Sequence, residues 1–417
     1  MDTNATAKPV AKEDKTKKPG WREKMMQELR RLGGNASEIA QPPPPLEEPL
    51  YRQPAQRRAP TAVVPAEAGG IPAQRVLSAP TVAAPPPRRP TMNMSDFTVA
   101  RVIGMGAFGR VSLARHNGTG RIVAIKAVSK AFIVKNDQIS HILDERFLMK
   151  RVAGYPFIVT LLGTFQDRDC LYFVMEYMAG GELFTHVRDN GVLNPQATRF
   201  YVAQMVLALE HLHGKGIVHR DIKLENVLMS AEGYIKVSDL GFSKVLHDNQ
   251  RTHTMCGTPD YMAPEIIKGK GHNLAVDWWA VGCVTFELLD GYPPFYAAEI
   301  PDIYRRILAH KSGSLKFKPY VEQVSKDFVN QLLHPDPFQR LGSGPLGAKA
   351  VKAHPWFQGY DWEALAERCY MPPYKPKLTS PEDTSRFDRF DRLPPVESAQ
   401  NLRPQQQAMF NPFTEYY

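Results

Sequence analysis

The sequence is short of several things, and each shortage closes off a class of protein. No run of about 18 apolar residues occurs in its 417 positions, so no membrane-spanning helix is expected. The start carries no basic-then-apolar stretch, so no secretory leader is read there. Residue 2 is Asp rather than Gly, which argues against N-myristoylation. Cysteine is scarce. Cys170, Cys256, Cys283 and Cys369 form no CxxC pair and no regular spacing, and they read as reduced thiols of an intracellular, cytoplasmic protein. Charge of one sign is also lacking over most of the chain. The formal net charge is +9, but residues 1–95 hold 15 Lys/Arg against 9 Asp/Glu, and the remainder is close to balance. A nearly neutral globular part argues against nucleic-acid binding.

Aromatic residues are almost missing from residues 1–95, which carry 16 of the 36 prolines instead. Such a segment cannot bury enough surface to offset its ordering entropy, so it is expected to be disordered and basic, with polyproline stretches. One island differs: Trp21, Met25, Met26, Leu29 and Leu32 recur at helical spacing with Arg and Lys between them. A short helix near 20–32 reads either as transient or as an anchor for a partner. From Phe97 the texture becomes periodic. Strand-like runs come first (VARVIG, RVSLAR, IVAIKAV, LYFVMEY), interrupted by a helical stretch around Gln138 to Ala153. After Gly181 helical periodicity dominates. An α+β chain with two lobes and a cleft between them follows, with a Pro-rich, polar tail over 358–417.

Chemistry-bearing residues are spaced along 97–357. Gly104-Met105-Gly106-Ala107-Phe108-Gly109 lies between two strand-like runs and precedes Val111, and its glycines let backbone N–H groups approach phosphate oxygens. A Rossmann loop is the rival reading, but it needs a helix next, whereas Arg110 to Arg115 reads as a strand. Lys126 ends the apolar run Val123-Ala124-Ile125 and needs anionic partners, a phosphate on one side and the Glu145 carboxylate on the other. In His219-Arg220-Asp221-Ile222-Lys223-Leu224-Glu225-Asn226, Asp221 can accept a hydroxyl proton. Lys223 can neutralise a transferred phosphoryl group, and Asn226 can hold Mg2+ through its amide oxygen. Asp239 supplies a further oxygen ligand for Mg2+, and Ala263-Pro264-Glu265 closes the segment.

This ordered set, over Phe97 to Tyr417, resembles the AGC group of protein kinases, most closely the catalytic subunits of the cAMP-dependent type. The resemblance implies the bilobal protein kinase fold, with a protein kinase domain over 97–357 and an AGC-type tail. It implies ATP and Mg2+ as cofactors. Asp221 would be catalytic base, with Lys223, Lys126 and Glu145 assisting, and Asn226 and Asp239 the metal ligands. Ile103, Gly104 to Gly109, Val111, Ala124, Met175, Glu176, Met178, Glu182, Leu228 and, from the tail motif Phe387-Asp388-Arg389-Phe390, Phe390 would surround the nucleotide. Glu265 and Arg340 would form an ion pair and Asp277 would anchor the catalytic loop. Leu240 and Leu224 stand where the family usually has Phe and Pro; neither change removes a charge.

The resemblance also implies a substrate. Glu182, Glu225 and Glu287 would pair with arginines two and three residues before the acceptor, giving Arg-Arg-x-Ser/Thr. Met255, Pro259 and Met262 would line an apolar pocket for the residue after it. Thr254 matches an activating phosphothreonine whose phosphate would gather Arg220, Lys244 and His141. Arg88-Arg89-Pro90-Thr91-Met92 fits the same consensus, so Thr91 reads as an autophosphorylation site, as a tethered competitor, or as part of a plain basic tail. The ending Phe413-Thr414-Glu415-Tyr416-Tyr417 resembles an aromatic pair docked on the small lobe with no Ser/Thr beyond it, which favours the cAMP-dependent type over a different AGC kinase. Expected partners are peptide substrates with upstream Arg and a separate inhibitory regulatory subunit, with His253 in place of a Trp that contacts it. The N-terminal extension is a candidate for binding an anchoring partner, and nuclear entry is left open.

Overall fold

The computed structural model describes residues 92–106, 109–247, 250–390 and 398–416. The expectations for residues 1–91, including the 20–32 island and Thr91, and for Ala107, Phe108 and Tyr417, therefore fall outside the described residues.

The small lobe is built on antiparallel strands β1 (Phe97–Gly106), β2 (Gly109–His116), β3 (Ile122–Ser129), β4 (Leu161–Gln166) and β5 (Cys170–Glu176), in the order β1-β2-β3-β5-β4. Helix α1 (Ile139–Val152) crosses between β3 and β4. Alternation along β3 divides the sheet into two faces. Val123 and Ile125 belong to an outer cluster with Phe97, Ala114, Phe165, Cys170, Tyr172 and Val174. Ala124 belongs to an inner cluster with Ile103 and Leu113. Lys126 shares the parity of Ala124 and so points to the inner side.

The large lobe is helical. Its central pair is α2 (Pro195–Gly214) and α3 (Ala275–Asp290). Asn194 caps α2 by accepting from the Ala197 N–H at 2.8 Å, with Pro195 in the first turn, where its missing N–H costs nothing. Helix α3 is buried on all sides from Ala275 to Leu289, including Trp278 and Trp279, which explains its run of apolar residues without amphipathic period. It stops at Gly291, whose φ of 93° only glycine adopts freely. A small sheet of β6 (Gly181–Glu182), β7 (Val227–Met229) and β8 (Ile235–Val237) lies in this lobe. Glu176, at the end of β5, ties the lobes together. One of its carboxylate oxygens accepts from the Thr160 N–H and from Lys236 Nζ, both at 2.6 Å.

Candidate active site

The β1–β2 turn places the glycine loop. Gly106 and Gly109 are partners in register, and Gly104 faces Val111. The glycines differ in what they require. A Cβ at Gly109 would sit 1.9 Å from the Ala127 carbonyl oxygen, so the tight β2–β3 approach itself demands glycine there. At Gly104 and Gly106 the nearest atoms are 3.7 Å and 3.8 Å away, so the protein leaves room for a side chain. The space there suits a ligand lying close to the backbone.

Behind the loop, Lys126 Nζ lies 2.6 Å from Glu145 Oε1. Burial opposes the ammonium, but Glu145 and Asp239 outweigh it and raise its pKa, so the charge is held. Glu145 is pushed upward by burial while Lys126 pulls it down. Asp239 is exposed into the cleft, although the cleft walls desolvate it. Lys126 and the Gly241 N–H, which donates to Asp239 at 3.1 Å, nevertheless bring its carboxyl below the ordinary range. Asp239 has φ 59°, a left-handed conformation unusual for a residue with a side chain and fixed by its surroundings.

Asp221 is 5% exposed and fully engaged. Its Oδ1 accepts from the Thr258 N–H at 2.9 Å and from the Thr258 hydroxyl at 2.8 Å. Its Oδ2 accepts from Asn226 Nδ2 at 2.9 Å and lies 3.2 Å from Lys223 Nζ. The loop holding it hangs on Asp277, which accepts from the backbone N–H groups of His219 and Arg220 and from His213 at 2.8–2.9 Å. Glu265 and Arg340 make a bidentate pair at 2.7 and 2.9 Å. Leu240 and Leu224 are both buried, as suits apolar substitutions.

Residues 97–357 match the family model for the protein kinase domain. The chain belongs to the protein kinase family. Three relatives place this kinase more closely. A cAMP-dependent protein kinase catalytic subunit of Dictyostelium discoideum is 43% identical over 75% of this chain, which spans only 47% of that relative's length. The human cAMP-dependent protein kinase catalytic subunit PRKX is 41% identical over 73% of this chain and 83% of its own. A RAC family serine/threonine-protein kinase homolog of Dictyostelium discoideum is 38% identical over 79% of this chain and 74% of its own. This is a serine/threonine kinase of the AGC group, close to the cAMP-dependent catalytic subunits, and its family uses ATP and a divalent metal.

The residues fit such a metal. Asn226 commits its amide nitrogen to Asp221, leaving the amide oxygen as acceptor, and Asp239 carries a carboxylate depressed toward the charged form. Among the described residues no group of three His, Cys, Asp or Glu could hold a metal alone. Two hard oxygen donors that need phosphate and water to complete the shell suit Mg2+.

Around the nucleotide side, Ile103, Val111 and Ala124 share one apolar cluster with Tyr177, and Met175 pairs with Ala124 across the sheet. Met178 is buried and Leu228 sits opposite Glu182 in register. Phe390 is half-buried, and it is Phe387, three residues earlier in the same motif, that packs on the apolar cluster and stacks on Tyr177 at 5.6 Å.

On the peptide side, Glu182 and Glu225 are half-buried and Glu287 is buried, its Oε2 accepting from Tyr261 at 2.6 Å. Glu225 Oε2 and Asp260 Oδ1 are buried without hydrogen-bond partners. Burial, with repulsion from Glu225 and Asp260, pushes Glu287 up to about 7 against the Tyr261 hydrogen bond. Burial and Glu225 also raise Glu182. Asp260, Tyr261, Thr258 and Phe387 were not singled out as site residues from sequence. Asp260 and Tyr261 lie between Pro259 and Met262, so proximity in the chain was the available signal. Met255 and Pro259 are half-buried, while Met262 is buried, its sulfur taking the Tyr304 hydroxyl at 3.7 Å.

Thr254 is exposed. Near it in the chain, Lys244 reaches the Thr252 hydroxyl at 3.5 Å, and Arg220 donates to the Phe242 carbonyl while its Nη1 is buried and unpaired. His141 engages Gln138, and the His253 ring lies against Gly271.

The tail returns to the small lobe at its end. Among the described side chains of the tail's end, Phe410 and Phe413 are fully buried, spaced three apart. Glu415–Tyr416 forms a short strand β9 paired with β4. Gln166 donates to the Phe410 carbonyl at 2.8 Å and to the Thr414 hydroxyl at 3.2 Å.

Proposed function

We propose that this kinase transfers the γ-phosphate of ATP, with Mg2+, to Ser or Thr preceded by arginines at the second and third positions upstream. The supporting observation is the acidic pocket. Glu225 and Asp260 each repel Glu287, Glu225 Oε2 and Asp260 Oδ1 are buried without hydrogen-bond partners, and Glu287 accepts only from Tyr261 among the described residues. Buried carboxylates in this state are costly until a cation arrives, and a guanidinium brings both charge and a fork of donors.

In this reading Asp221 accepts the acceptor hydroxyl's proton and aims its oxygen, Thr258 and Asn226 fix the carboxylate, and Lys223 offsets charge on the phosphoryl group. Lys126, held by Glu145, grips the α/β-phosphates. Asn226 and Asp239 would hold the metal, which supplies charge neutralisation on the phosphates. Phosphate on Thr254 would satisfy the unpaired Arg220 nitrogen. We further read the chain as a cytoplasmic catalytic subunit restrained by a separate regulatory subunit.

A randomised peptide library tests the substrate class. Enrichment of Arg at both upstream positions is expected, and indifference at both would remove the reading. A different AGC kinase is the second reading, favoured by the 38% identical RAC relative. Mixing the chain with a candidate regulatory subunit, and finding which small molecule restores activity, separates the two.

A further inference from the structure

A cavity of about 340 Å³ opens in the large lobe, and none of the residues assigned above to nucleotide, metal or peptide lines it. That volume falls in the range of small-molecule pockets. It sits where the end of α2, the start of α3 and the loop from Gly342 to Gly347 meet. Three glycines and a proline within six residues keep that loop out of any regular element. Gly342, at φ 89°, lets the loop press on Trp278, since a Cβ there would come within 2.8 Å of the indole. The N–H groups of Gly342 and Gly344 find no acceptor among the described residues.

Three ionisable side chains line the cavity: Glu210, His213 and Lys349. Glu210 is already met by Lys352 at 3.0 Å. Lys349 is exposed and has no ion-pair partner among the described residues. The His213 side chain is only 10% exposed, and its Nε2 lies 2.8 Å from Asp277 Oδ2. Burial opposes the Asp277 carboxylate, but His213 and the Arg220 N–H outweigh it and hold Asp277 below the ordinary range. A charged carboxylate can only accept, so Nε2 carries the proton. The ring's Nδ1 has no partner among the described residues and is not sealed from solvent. The ring also meets Trp278 edge to face at 5.3 Å. Cavity, His213 and Asp277 thus form one chain of contacts. Its far end is the catalytic loop, where Asp277 holds the N–H groups of His219 and Arg220 at 2.9 and 2.8 Å.

We propose that this cavity binds a small phosphate monoester and that its occupancy steadies the catalytic loop. Lys349 supplies positive charge, and the two loop N–H groups are donors of the kind that cradle phosphate oxygens. The cavity is larger than a bare phosphate needs, so the body of the ligand rests on the apolar lining at Leu274 and Pro345. An anion beside Nδ1 draws a proton onto it, because the neutral ring presents only a lone pair there. His213 then faces Asp277 as an imidazolium. The hydrogen bond becomes an ion pair, and the carboxylate that carries the catalytic loop is held more firmly in place. The ligand binds without reacting, and the site does not depend on which peptides the kinase selects.

The test uses the full-length chain with its nucleotide site filled by Mg2+ and a non-hydrolysable ATP analogue, so that added phosphate cannot report from there. Inorganic phosphate is titrated, with acetate and chloride at matched ionic strength as controls. Backbone amide NMR signals of Gly342, Gly344 and Lys349 should move saturably with phosphate and with neither control. Lys349→Ala, at an exposed position, should weaken that response about tenfold, the worth of one charged hydrogen bond. Amide exchange at His219 and Arg220 should slow about fivefold at saturating phosphate, the low end for two coupled sites. His213→Gln keeps a donor for Asp277 but takes up no proton, so it should abolish the slowing while the loop signals still move. No saturable movement of the loop signals, or one that Lys349→Ala leaves unchanged, overturns the site. An equal response to acetate overturns the assignment to phosphate. Movement without slower exchange, or slowing that survives in His213→Gln, overturns the link to the catalytic loop.

Discussion

Two clusters of charge face the same cleft and are built in opposite ways. On the small-lobe side, Lys126 and Glu145 meet at 2.6 Å with Asp239 nearby, and the ammonium is held more firmly charged than in water. On the large-lobe side, burial, with repulsion from Glu225 and Asp260, drives Glu287 up to about 7. A balanced cluster keeps one geometry whether or not a ligand is present. An unbalanced one stores cost in the free protein that an arriving cation removes, which makes it selective. The first cluster suits a constant substrate, the nucleotide, and the second suits one that has to be chosen.

The contrast can be broken by mutation. The largest effect is expected at Asp221, which lies between the two clusters' substrates and belongs to neither cluster. Asp221→Ala should lower kcat for phosphate incorporation about a thousandfold, within the usual range for a positioned general base. An undiminished rate would undo the site altogether. Glu145→Ala leaves Lys126 without its partner and should cost about a hundredfold in kcat/KM. Stability should fall by about 2 kcal/mol, less than for a fully buried pair because Lys126 is 22% exposed, read by thermal unfolding. Glu287→Gln should behave in the opposite sense. Arginine-peptide kcat/KM should fall about thirtyfold, the worth of one charged hydrogen bond, while KM for ATP holds and unliganded stability stays level or rises. A drop in stability equal to that of Glu145→Ala would erase the distinction between the clusters.

The smallest expected effect is pH dependence. Glu287 has a raised pKa in the folded protein, so its charged form is disfavoured there. The free enzyme loses stability as pH climbs from the ordinary carboxyl range through about 7. Arginine binding requires the charged form, so peptide kcat/KM should rise about tenfold from pH 6 to pH 8 and flatten in Glu287→Gln. A profile that falls over that interval would mean the pocket does not take a cation.

Much of the site was legible in the chain because its parts are short motifs with fixed internal spacing. Lys126 terminates an apolar run, and Asp221, Lys223 and Asn226 fall within one loop, so local backbone geometry alone brings them near one another. Glu145 was readable as the carboxylate a buried lysine needs. Less legible were groups whose role depends on distant packing. Thr258 lies 37 residues from the Asp221 it bonds twice, and Tyr261 lies 26 residues from Glu287. Phe387 rather than Phe390 covers the apolar cluster, because the tail's path decides which aromatic turns inward. Phe410 was missed beside Phe413 for the same reason.

The sequence by itself determined the order of lobes, the family, and the residues that carry charge into the cleft, since strand parity, helix period and motif spacing are local properties of the chain. Only the tertiary structure decided which charges are balanced and which face of the sheet holds Met92, because desolvation and repulsion depend on neighbours remote in sequence. Those neighbours make Glu287 a waiting carboxylate.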